Sequence, residues 1–122
     1  MNNPQWVTDL FASIDAMDST KFVSFIDDGG TFTFANNPTM NGREAIFAMV
    51  DGFFKSIKAI HHTNLQTYIT ADGATVFTSG TVDYTRHSGS HLVVNFCNRF
   101  NMKGEKIFNY DIFIDNSTLY AE

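Results

Sequence analysis

Residues 61–115, HHTNLQTYITADGATVFTSGTVDYTRHSGSHLVVNFCNRFNMKGEKIFNYDIFID, decide the fold. From His61 onward apolar and polar side chains alternate with a period of two, the mark of half-buried strands. The alternation predicts strands over 62–70, 75–86, 91–102 and 106–115. The connections 71–74 (ADGA), 87–90 (HSGS) and 103–105 (KGE) have hairpin length and each contains Gly. Three short connections in a row make an antiparallel meander, because a parallel crossover needs a longer link.

Upstream the spacing is helical. Asn3 and Pro4 are expected as cap and first residue of a helix that carries Trp6, Leu10, Ile14 and Met17, with Val7 and Phe11 widening the stripe. Asp18 or Ser19 caps a short second helix with Phe22, Val23 and Ile26, and the DDGG of 27–30 ends it. Residues 31–35 alternate Thr and Phe as a short strand, broken by Asn36-Asn37-Pro38. A third helix is expected from Asn41, with Glu44 completing a capping box. Ile46, Met49, Val50, Phe53, Phe54, Ile57 and Ile60 form its apolar face. Gly52 in its middle costs about 1 kcal/mol against Ala, which predicts close packing there. Helices early and strands late give an α+β class, and 122 residues suit one domain over 1–122.

Composition narrows the function. Hydrophobic residues make up 43% and charged residues 17%, so burial can offset ordering entropy. Thirteen Phe exceed what a core of this size needs, which predicts a cavity walled by rings or an apolar face covered by a second copy. A net charge of −5, with only 8 Lys and Arg and no basic run, argues against nucleic acid and polyanionic substrates. Cys97 is the single cysteine, which leaves no intrachain disulfide or thiolate metal site and fits a reducing compartment, with the cytoplasm as the expected location. The first residues, MNNPQWVTDL, lack the basic and apolar parts of a signal peptide, and no apolar run nears the roughly 18 residues of a membrane span.

Period-two reading sorts the third meander strand into Leu92, Val94, Phe96, Asn98 and Phe100 on one face and His91, Val93, Asn95, Cys97 and Arg99 on the other. Asn98 is the one polar member of an apolar face. A buried Asn left unpaired costs about 1–3 kcal/mol, so it is seldom there for packing. Tyr110 shares its face with Phe108, Ile112 and Ile114 and needs a partner for its hydroxyl if buried. On the helix side Asp15 flanks the apolar stripe. His61 and His62 are consecutive at a helix-to-strand junction, so one points inward and the other away. His62 shares parity with Asn64, Gln66 and Tyr68. A buried His beside a carboxylate moves protons near neutral pH. Each residue also has a plain structural reading: a core amide, a core ring, a solvated helix-end charge, a junction histidine bonded to backbone. No His or Cys pair has metal-ligand spacing, so no metal is expected, and no phosphate loop or nucleophile elbow occurs. Arg86 and His87 read as a solvated hairpin tip.

The order of these segments is familiar. FASIDAMD (11–18), FTFANNPTMNG (32–42) with GREAI after it, the IHHT junction, VDYTRHSGS and KIFNYDIFID together cover almost the whole chain. The chain resembles SnoaL-like proteins of the nuclear transport factor 2-like superfamily, which includes ketosteroid isomerase, scytalone dehydratase and polyketide cyclases. The resemblance implies a cone-shaped half-barrel: a curved, mainly antiparallel sheet with three N-terminal helices closing an internal pocket, usually in a dimer. Where ketosteroid isomerase has its general-base Asp this chain has Asn37, and where it has its protonated Asp this chain has Asn98. The oxyanion Tyr of its first helix matches Leu10 or Phe11. Asp15 resembles the Asp that the dehydratase and dehydrochlorinase branch pairs with a His, here His61 or His62, with parity favouring His62.

The expectation is therefore an isomerase, lyase or cyclase that transfers protons on a small, largely apolar molecule without a cofactor. His62 would be the base, Asp15 its orienting partner, and Asn98 with Tyr110 the holders of a substrate oxygen. Phe11, Ile14, Phe34, Phe53, Phe54, Val94, Phe96 and Ile112 are expected to line the pocket. The rival is a ligand-binding or dimerisation module without chemistry; a cavity reduced to a few waters would favour it, and one of several hundred Å³ the enzyme. A homodimer is expected through the outer sheet face at Val93, Cys97, Ile107 and Phe113.

Overall fold

The computed structural model describes residues 3–121; Met1 and Asn2, at the head of the segment read as lacking a signal peptide, lie outside it. The period-two stretch folds as four strands, β3 (Ala59–Ile69), β4 (Thr75–Thr85), β5 (His91–Lys103) and β6 (Lys106–Ile114). They pair antiparallel in sequence order. Before them come α1 (Gln5–Asp15), α2 (Ser19–Val23), β1 (Ile26–Phe34), β2 (Met40–Asn41) and α3 (Arg43–Lys55). The six strands form one open sheet in the order β2-β1-β6-β5-β4-β3, with only β1 and β6 parallel. This is the expected α+β cone.

Bulges bend the sheet. Between the pairs Thr63–Thr81 and Gln66–Ser79, β3 has one residue more than β4, and Asn64 takes a φ of 58° to absorb it. Gly80 lies opposite, where a Cβ would stand 2.8 Å from the Thr63 carbonyl, so only glycine fits. The bulge reverses the parity of β3. Ile60 and His62 turn inward above it, whereas Leu65 and Thr67 do so below it, and Gln66 and Tyr68 face outward. A second register shift, at Asn101/Met102, turns Ile107 fully inward. That corrects the expectation that Ile107 lies on the outer face. Val93 and Phe113 do lie there, 59% and 52% exposed, with the Arg99 guanidinium over the Phe113 ring and paired to Asp111 at 3.0 Å.

The N-terminal half departs from expectation at its ends. Pro4 stands before α1 and its carbonyl takes the first helical bonds, from Val7 and Thr8. Asn3 does not cap; its amide donates to the Leu65 carbonyl and its Oδ1 accepts from Thr67, which anchors α1 to β3. Asp18 caps α2 by accepting from the Lys21 amide. The 27–30 stretch does not merely end that helix: it is the irregular start of β1, and Ile26 belongs to the strand. Asn41 pairs in β2, so α3 begins at Arg43 after Gly42 with no capping box. Nothing lies within 4 Å of a Cβ at Gly52, so the close packing expected there is absent. Arg86 is no solvated tip residue; it donates to the Leu119 and Thr118 carbonyls and holds the C-terminal turn.

The core lies between helices and concave sheet. Leu10, Phe22, Phe32, Ile46, Phe100 and Ile107 are at most 2% exposed, and each such side chain contributes about 1.5–3 kcal/mol by leaving water. Phe packing sets the cavity's shape: Phe32 meets Phe22, Phe34 and Tyr110 edge to face.

Candidate active site

The cone encloses a cavity of about 40 Å³, room for about three waters. Its wall includes Ile14 of α1, Phe53 and Phe54 of α3, Phe34, Phe96 and Ile112, all expected there. Phe11 and Val94, also expected, are not in the wall. Phe11 is buried one layer out, where its edge meets the His62 ring at a centroid distance of 4.9 Å. Among the described residues the wall contains no Lys, Arg, Asp or Glu; its polar members are His62, Asn98, Tyr84 and Tyr110.

The sequence left open which of His61 and His62 turns inward. His62 does, with its side chain 8% exposed, while His61 is 71% exposed. Strand pleating separates them, and Phe11 and Phe96 clamp the His62 ring on two sides. Asp15, at the last turn of α1, reaches it from outside the wall. Asp15 Oδ1 is 2.5 Å from His62 Nδ1, and Oδ2 accepts the His62 backbone N–H at 3.1 Å. A carboxylate accepts, so Nδ1 carries the proton. Nε2 makes no hydrogen bond to the described residues and belongs to a ring in the cavity wall.

The second polar group sits on the sheet. Asn98 is 2% exposed and Tyr110 fully buried. Asn98 Nδ2 donates to the Tyr110 hydroxyl at 3.4 Å, and Asn98 Oδ1 has no partner. Burial, with the nearby Tyr84 adding to it, pushes the Tyr110 phenol far above the usual tyrosine range. It remains a donor at every physiological pH.

Tyr84 was missed. It lies in the cavity wall, 3% exposed, edge-on to Phe53, and no described residue bonds its hydroxyl. Burial first, and Tyr120 second, raise its pKa far above the ordinary value. Its signal was parity: Val76, Thr78, Val82 and Tyr84 form the inward set of β4. Asn37, at the position of the isomerase's catalytic Asp, is exposed on the turn after β1 and outside the wall. Among the described residues no group of three or more His, Cys, Asp or Glu is placed to hold a metal ion. No helix among them is long and apolar enough to cross a membrane.

An open, bent sheet closed by three helices over an internal cavity is the cone architecture of the nuclear transport factor 2-like class. Within that class, the chain belongs to the SnoaL-like domain family, whose profile matches residues 7–110. Solved structures share the fold at low identity. A candidate polyketide cyclase of Xanthomonas campestris pv. campestris superposes with a TM-score of 0.86 at 13% identity, covering 96% of this chain and 93% of that one. A hypothetical protein of Catenulispora acidiphila with a ketosteroid isomerase-like fold, solved in complex with trimethylamine, gives 0.87 at 20% identity over 98% and 92%. A candidate isomerase of Bacillus subtilis gives 0.85 at 17% identity over 96% and 88%. No curated protein matches the sequence at a significant level.

Proposed function

We propose that this SnoaL-like protein is a cofactor-independent isomerase, lyase or cyclase that moves a proton on a small, neutral, mostly apolar molecule. The observation that carries this reading is the double grip of Asp15 on His62, which fixes the imidazole with Nδ1 protonated and Nε2 free in an apolar wall. Such a nitrogen is a general base. Nε2 takes a proton from carbon, the electron pair moves toward a substrate oxygen, and Asp15 stabilises the cation formed on His62. Tyr110, with Asn98 beside it, holds a second oxygen of the substrate, away from the reacting carbon. Returning the proton at another carbon completes an isomerisation. With no charged side chain in the wall, the ligand is uncharged. The single free thiol, Cys97, fits work in the cytoplasm.

A binding module without chemistry is favoured by one observation, the cavity of about 40 Å³, well below the roughly 300–1,000 Å³ of small-molecule sites. For either reading a ligand enters only if the partly exposed wall residues Met49, Phe53, Ile112 and Ile114 move aside. Deuterium uptake from D2O into ketones, lactones and β-diketones, followed by proton NMR, separates the two. The enzyme accelerates exchange above buffer and His62→Gln loses the effect; ligand-induced shifts with no exchange above buffer leave the binding module. The exposed Val93 and Phe113 support a dimer through the outer face. Light scattering at micromolar concentration tests that, and a monomeric mass contradicts it.

A further inference from the structure

The hydrogen bonds at Asn98 and Tyr110 define what kind of oxygen the ligand carries. Asn98 offers one acceptor oxygen and two N–H donors; Tyr110 offers one hydrogen and an acceptor oxygen. The single bond between them uses an N–H of Asn98 and the oxygen of Tyr110. Left over are the Asn98 Oδ1, buried with no partner, the second Asn98 N–H, and the Tyr110 hydroxyl hydrogen, for which no described residue is an acceptor. A vacant acceptor thus stands beside a vacant donor in the wall of an otherwise apolar cavity.

Resting on the ligand-bearing cavity proposed above, we infer that the group seated there is a hydroxyl, of an alcohol, enol or phenol, rather than a bare carbonyl or an ether. A hydroxyl accepts from Tyr110 and donates to Asn98 Oδ1 at once. A ketone or ether accepts from Tyr110 but leaves Oδ1 buried and unsatisfied, and an unsatisfied buried acceptor carries the full desolvation penalty. A water held there would make both bonds. A ligand hydroxyl that displaces it reproduces them, whereas a carbonyl that displaces it loses one. The elevated phenol of Tyr110 keeps its hydrogen throughout, so the donor half is constant with pH. Unlike an oxyanion hole built only of donors, this site has a free position that accepts.

Cyclohexanol, cyclohexanone and methoxycyclohexane differ only at the oxygen. Their binding to the full chain, by chemical-shift titration of the isotope-labelled protein, is the test. Cyclohexanol is expected to bind at least about tenfold more tightly than the other two. In Asn98→Leu, which removes the acceptor, that preference is expected to disappear while the ketone and ether bind as before or better. Equal affinities in the wild type, or preference for the ketone, would overturn the hydroxyl assignment and leave the cavity reading standing. Shifts from none of the three at millimolar concentration would overturn the cavity reading and the assignment with it. A preference that survives in Asn98→Leu would overturn the assignment too, since it would arise elsewhere in the wall.

Discussion

The two polar ends of the cavity are built in opposite ways. At the helix end, Asp15 accepts both the ring and the backbone N–H of His62 and remains 25% exposed. That pair is complete without a ligand and in reach of solvent. At the sheet end, Asn98 and Tyr110 are buried, share one long bond and leave Oδ1 without a protein partner. The first arrangement contributes stability and holds the His62 ring in place. The second costs stability and is completed only by something that enters. A protein that needed its interior only for packing has no reason to keep an unsatisfied amide there.

Substitutions separate the two ends most sharply through catalysis. Replacing a positioned general base lowers rates by about 10²–10⁴, so His62→Gln is expected to reduce proton exchange on an active substrate by that factor. Exchange kinetics measure it, and an unchanged rate would move the base elsewhere. Asp15→Ala removes two hydrogen bonds and strands the His62 N–H groups, with an expected destabilisation of about 1–3 kcal/mol in urea unfolding. Asn98→Leu is expected to change stability little. It removes the cost of the unsatisfied Oδ1 but also the one hydrogen bond to the buried Tyr110 hydroxyl, so Tm is expected to stay within the equivalent of about 1 kcal/mol while ligand selectivity is lost. If both substitutions destabilise alike, the contrast between the two ends fails.

The smallest effect concerns pH. Tyr84 and Tyr110 are held protonated by burial. Above about pH 10 the unfolded chain ionises its tyrosines while these two stay neutral in the fold. Their contribution is therefore whole below that pH and falls as pH rises, by up to about 1.4 kcal/mol per pH unit for each phenol. Tm measured from about pH 9 to pH 11 should fall less steeply in Tyr110→Phe than in the wild type.

Much of this was legible in the sequence. The meander strands lie within three residues of their predicted ends, since period two and Gly-bearing hairpins are local signals. Asn98 sits on the inner face because β5 keeps its alternation through that residue. The misses fall at bulges. Ile107 was placed on the wrong face, and Gln66 and Tyr68 with His62, because one extra residue in a strand reverses every later side chain. Asp27–Gly30 read as a stop since Gly and Asp favour turns, yet a register shift lets β1 run through them. The approach of Asp15 to His62, 47 residues apart, is set by how α1 crosses β3, which no spacing encodes. Cavity volume is likewise the product of how all the Phe rings pack together.

The central claim is that Asp15 holds His62 with its free nitrogen facing the cavity. Long-range nitrogen–proton correlation spectra of the labelled protein at alkaline pH test it directly, with His62→Gln giving the assignment. The account predicts a neutral His62 ring with its proton on Nδ1 and a bare Nε2 whose resonance moves when a ligand enters. A ring protonated at Nε2, or one averaging between tautomers, would contradict it.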